Sequence, residues 1–96
     1  MKLREFFSDA SKWTQHVYAR NSNGDQVSPN DPNACCWCLS GGDIACPIED
    51  YINTDTSDRC NKLSDYLWKK FKMNIPQFND SHRFEEVKEV LDHLDI

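Results

Sequence analysis

Three thiols and an indole occupy four consecutive positions, Cys35-Cys36-Trp37-Cys38, within the run from Ala34 to Gly42. That density admits three chemistries: a metal site, a nucleophile, or a packed helix whose thiols act as small apolar groups. A zinc site would draw on Cys35, Cys38, Cys46 and Cys60, with His16, His82 and His93 as further donors. Cys36-x-Cys38 makes a poor knuckle, because helical residues i and i+2 point about 160° apart. Cys35 and Cys38 would share a helical face, but the other ligands stand singly and far away in sequence. Packing competes with metal binding, since Cys is among the most buried residue types.

The nucleophile reading places Cys36 in the first turn of a helix, where the dipole favours a thiolate. His82 would be the base and Asp80 the group that orients it. Residue type alone assigns these roles. Asn79-Asp80 equally reads as a turn that ends a loop and starts the last helix, with His82 at its cap.

The third possibility is recognition by charge. The chain has 96 residues and a net charge of −5. From Asp43 to Asp58 it carries Asp43, Glu49, Asp50, Asp55 and Asp58 and no Lys or Arg. The tail from Ile75 carries six acids against Arg83 and Lys88, while Arg59, Lys62, Lys69, Lys70 and Lys72 lie between the two acidic blocks. Non-specific nucleic-acid binding needs many phosphate-neutralising cations, so direct nucleic-acid binding is not expected. A protein partner with a basic surface suits these blocks better, with plain solubility as the competing explanation. The candidate binding residues are Asp43, Glu49, Asp50, Tyr51 and Asp55, and the outer face of the last helix, Glu85, Glu89 and Asp92. Tyr51 amid the acids is the candidate aromatic anchor. No glycine-rich phosphate loop and no paired carboxylates at a catalytic spacing are present, so no cofactor is expected.

These residues must be positioned by one small domain spanning 1–96. At this size folding hides roughly 60 to 65% of the unfolded chain's surface. Eleven aromatics help to fill the core, and Trp13, Trp37 and Trp68 all read as core residues. A homodimer, the commonest oligomer, is open to so thin a core. No apolar run reaches 18 residues and the N-terminal segment lacks a signal-peptide core, so a cytoplasmic protein with reduced thiols is expected.

Apolar spacing marks a first helix over 2–12, with Leu3, Phe6, Phe7 and Ala10 on one side. An extended stretch over 15–20, the Asn-Gly-bearing turn 21–25 and Gln26-Val27 read as a hairpin. Arg20 is expected to pair with an acid across it, such as Asp25. Pro29 and Pro32 delay the second helix to Asn33 as cap, and it runs over 34–46. Gly41-Gly42 costs helix stability and implies that another backbone comes close or that the helix bends. The third helix reaches Met73 with Cys60, Leu63, Leu67 and Phe71 on its apolar face. A loop over 74–79 follows. The last helix spans 82–94, capped by Asp80 or Ser81 and lined by Phe84, Val87, Leu91 and Leu94. The expected fold is mainly α: a small four-helix domain with a short β-hairpin between the first two helices.

Read in order, Trp13-Thr14-Gln15, Ala19-Arg20, Asn23 to Val27, Trp37-Cys38-Leu39-Ser40-Gly41, Asn79-Asp80, His82 and Val87 form a pattern. It resembles a family of small bacterial and phage proteins marked by a Trp-Cys-Leu-x-Gly-Ala core and a later Trp-Asn-Asp, a domain of unknown function. The likeness runs from about Leu3 to Leu94. Gly42 stands where the pattern prefers Ala, and Phe78 where it prefers Trp. The resemblance implies no activity, but it suggests a phage or mobile-element origin. By analogy the expected function is an acidic interaction module that binds and inhibits or regulates a basic, nucleic-acid-handling partner, its sharpest form being an anti-defence inhibitor. A Cys–His hydrolase-like enzyme and a small zinc protein are the alternatives.

Overall fold

The computed structural model describes residues 1–46 and 57–96. Their elements, in chain order, are α1 (Leu3–Phe6), a 3-10 turn (Ala10–Lys12), β1 (Ala19–Asn21), β2 (Ala34–Trp37), α2 (Leu39–Ala45), α3 (Ser57–Phe71), α4 (Ile75–Ser81) and α5 (Phe84–Leu94). The fold is mostly helical with one two-stranded antiparallel sheet. Among the described residues five α-helices stand where four were expected.

The long helices follow their apolar spacing. α3 buries Leu63 and Leu67 and rests Cys60 and Phe71 against the core. α5 buries Val87, Val90 and Leu91, with Phe84 and Leu94 alongside. Leu3, Phe7, Leu39, Ile75 and Phe78 complete the centre. The first helix is shorter than its pattern: α1 ends at Phe6, Ala10 is exposed, and Asp9 caps a separate 3-10 turn.

The second helix differs most from expectation. Ala34 to Trp37 is a strand, paired with β1 as Ala19 to Trp37 and Arg20 to Cys36. Cys and Trp are indifferent helix formers, and the edge offered by β1 satisfies their backbone groups. The turn at 21–25 does form, with Gly24 at φ 84° and Arg20 bridging to Gln26, but the strand that pairs along β1 is 34–37. Helix α2 then starts at Leu39 with Cys38, not Asn33, as its cap.

Residues 75–81, expected as loop and cap, form α4. Asn74 accepts from the Gln77 amide while the Gln77 side chain accepts from the Asn74 amide, and Pro76 lies in the first turn. This Asn-Ile-Pro-Gln capping box was present in the sequence as a helix start. Consequently α5 begins at Phe84 with Arg83 as its cap, not Asp80 or Ser81.

Both glycines of the pair serve close packing. A Cβ on Gly41 would stand 2.0 Å from the Tyr18 carbonyl oxygen, so another backbone does come close, as the pair implied. A Cβ on Gly42 would meet the Phe7 ring at 2.3 Å. Trp13 and Trp37 pack against the core, but Trp68, expected there, is 57% exposed on α3.

Candidate functional site

Asn79 is fully buried on α4 and joins three parts of the chain. Its Oδ1 accepts from the Trp13 indole at 2.7 Å and from the Leu39 amide, the first residue of α2, at 3.0 Å. Its Nδ2 donates to the Thr14 carbonyl at 3.1 Å and to Asp80 Oδ1 at 3.0 Å. The Gln15 amide spans the carbonyls of Asn79 and His82 at 3.0 and 3.1 Å. Arg20 extends the network: it donates to Thr14 Oγ1, the Gly24 carbonyl and the Gln15 carbonyl, and pairs with no acid among the described residues. The short motifs scattered along the sequence therefore converge as one polar scaffold.

That scaffold floors a cleft of about 260 Å³. Asn79, Asp80 and Pro76 line it from α4, Cys38 and Ser40 from the start of α2, and His16, Val17 and Tyr18 from the segment entering β1, together with Gln26, which bridges to Arg20 of β1. His16 holds a left-handed backbone, φ 74°, uncommon for a residue with a side chain. Asp80 stabilises it: Oδ1 accepts the His16 amide at 2.9 Å, and Oδ2 lies 3.6 Å from the imidazole Nδ1. Asp80 thus partners His16, which the sequence offered as a further zinc donor.

The expected Cys36, His82 and Asp80 arrangement is not assembled. Cys36 lies on β2 rather than at a helix start. The His82 ring stacks on Phe78 at 4.1 Å, with Nδ1 beside Ser81 Oγ and the Phe78 carbonyl. Asp80 turns to His16 instead. Asn79-Asp80 is part of α4, not a turn.

The thiols named as possible zinc ligands are dispersed. Cys35 is exposed on β2, while Cys38 and Cys46 bracket α2 and Cys60 lies on α3. No three His, Cys, Asp or Glu side chains gather to hold a metal among the described residues. Burial pushes the Cys38 thiol up from its ordinary pKa, against the opposing pull of the Gly41 and Ser40 amides. Burial likewise raises Cys46 and Cys60. Cys38 Sγ accepts the Gly41 amide at 3.3 Å and so works as a helix cap.

The acidic candidates divide. Glu49, Asp50, Tyr51 and Asp55 lie outside the described residues. Asp43 is not on an open surface: its side chain is 13% exposed and its carboxylate meets Arg59 Nε at 2.5 Å. The same guanidinium donates to the carbonyls of Asp43 and Cys46, clamping the end of α2 to α3. Glu85, Glu89 and Asp92 are all exposed along α5. Glu85 and Glu89 form no ion pair among the described residues, and Asp92 faces Lys88 at a loose 3.9 Å.

The model of a family of unknown function, DUF6197, matches residues 3–94. The chain belongs to that family. No curated protein and no solved structure matches it. The scaffold residues Trp13, Thr14, Gln15, Arg20 and Asn79 fall inside the DUF6197 match, as do the walls of the cleft. No helix of the described residues is long and apolar enough to cross a membrane.

Proposed function

We propose that this DUF6197 chain is a small acidic interaction module that binds, and by binding inhibits or regulates, a protein with a basic surface. The carrying observation is the open face of α5, where Glu85, Glu89 and Asp92 are all exposed. Their i, i+4, i+7 spacing places them on one side of the helix. The opposite side, through Val87, Val90 and Leu91, is fixed in the core, so the charges sit on a rigid element. With a net charge of −5, such a face steers encounter with a cationic partner.

Nucleic-acid-handling proteins present basic surfaces of this kind. The sharpest form of the reading is a phage-encoded inhibitor of a host defence or nucleic-acid enzyme, acting in the host cytoplasm.

The test is capture from host lysate with tagged wild type and with Glu85→Lys/Glu89→Lys, each at low and moderate salt. The reading expects one stoichiometric basic partner, retained by the wild type and lost by the variant, with the difference shrinking as salt screens the charges. Equal retention of that partner by both proteins overturns it.

A further inference from the structure

We infer that the cleft between β1, α2 and α4 receives one arginine side chain, and this rests on the reading of the protein as a module for a basic partner. The cleft's charge selects a cation. Asp80 contributes a carboxylate, and among the described residues no Lys or Arg lines the walls, His16 being the basic side chain there. Its size selects a small group: about 260 Å³ lies just below the roughly 300–1,000 Å³ of sites that take drug-sized ligands.

The pattern of uncommitted groups selects guanidinium over ammonium. Asp80 Oδ1 is filled by the His16 amide and Asn79 Nδ2, while Oδ2 faces the His16 imidazole Nδ1 at 3.6 Å, too long for a hydrogen bond, and keeps room to accept. The side chains of Ser40, Gln26 and Tyr18 make no hydrogen bond among the described residues. Acceptors spread over three residues match the planar five-donor fork of arginine better than the point charge of lysine. Tyr18, 53% exposed at the rim, offers a ring face on which a guanidinium can stack.

The cleft is also rigid before binding, which lowers the cost of capture. Gly41 seats α2 directly against the Tyr18 carbonyl, and the Cys38 amide donates to that carbonyl at 3.2 Å. Asn79 fixes the opposite wall to Leu39.

The test is an amide-resolved NMR titration of the full chain with N-acetyl-arginine methylamide and, separately, its lysine counterpart. Saturable shifts at Tyr18, Gln26, Ser40 and Asp80 are expected, several-fold weaker for lysine. Asp80→Asn is expected to weaken arginine binding by about tenfold. Because Asp80 also holds His16, the double variant Gln26→Ala/Ser40→Ala provides a second reading outside the scaffold, with a several-fold loss expected. Glu5→Lys, at an exposed acid on α1 outside the cleft lining, is expected to bind the arginine probe as the wild type does. Equal response to both probes, shifts confined to α5, or a folded variant of either kind binding as wild type overturns the inference. Failure at the cleft with capture still dependent on α5 would leave the proposed function standing, whereas arginine binding at the cleft with capture indifferent to the α5 charges would overturn the proposed function and leave the cleft's preference for arginine in place.

Discussion

The Trp13 indole donates to the Asn79 side-chain oxygen at 2.7 Å, across 66 residues of chain. This bond ties the segment entering the sheet to α4. The same oxygen accepts the first amide of α2, so one buried amide sets the relative placement of three elements.

Asn79→Ala is therefore expected to cost about 2–4 kcal/mol, because it orphans buried donors as well as losing bonds. Asn79→Asp should also destabilise, since it faces the Thr14 carbonyl and Asp80 with a buried carboxylate where an amide donated. Urea unfolding followed by tryptophan fluorescence measures both. Unchanged midpoints would show that the scaffold is incidental.

The two glycines should respond unequally to alanine. At Gly41 the obstacle is backbone, the Tyr18 carbonyl 2.0 Å from the new Cβ, so Gly41→Ala is expected to cost about 3 kcal/mol or more and to distort the cleft. At Gly42 the obstacle is the edge of the buried Phe7 ring, a side chain rather than backbone, so Gly42→Ala is expected to cost less, offset in part by up to about 1 kcal/mol of helix propensity. Thermal melts of the two variants should rank Gly41→Ala well below Gly42→Ala.

Arg59 and Asp43 form a pair with both side chains little exposed, 15% and 13%. Removing one partner of such a pair typically costs about 3–5 kcal/mol, since the other is left uncompensated. Arg59→Met is expected to lose more than Asp43→Asn, because it also abandons the carbonyls of Asp43 and Cys46 at the end of α2. Chemical denaturation of the two single variants and the double variant would give the coupling directly.

Thiol reactivity should separate by burial. At mildly alkaline pH a thiol reagent is expected to modify exposed Cys35 first and to reach Cys38 and Cys46 only after denaturant is added. Burial raises the folded pKa of Cys38, Cys46 and Cys60. The unfolded chain therefore loses thiol protons at lower pH than the folded chain does. The contribution of these thiols is fully present below the unfolded value, about 8.5, and is lost as pH rises through the raised folded values. Denaturant midpoints measured from pH 7 to pH 10 should fall at the alkaline end, and replacing the three residues by Ala should flatten that fall.

By itself the sequence determined a mainly helical fold, the apolar faces of α3 and α5, a close backbone approach or a bend at Gly41-Gly42, and membership of a family of unknown function through a string of short motifs. Such features are local or periodic: apolar residues at helical spacing bury the same face whatever they pack against. Tertiary structure decided the rest. Ala34 to Trp37 became a strand because β1 supplied an edge to residues with weak helix preference. Asp80 chose His16 over His82, and Asp43 met Arg59, because partners 64 and 16 residues away are set by how helices dock. Asn79, read in the sequence as part of a turn, became the buried centre of the scaffold only once α2, α4 and the Trp13 segment had closed around it. A polar side chain's role depends on which donors surround it, and spacing along the chain does not encode that neighbourhood.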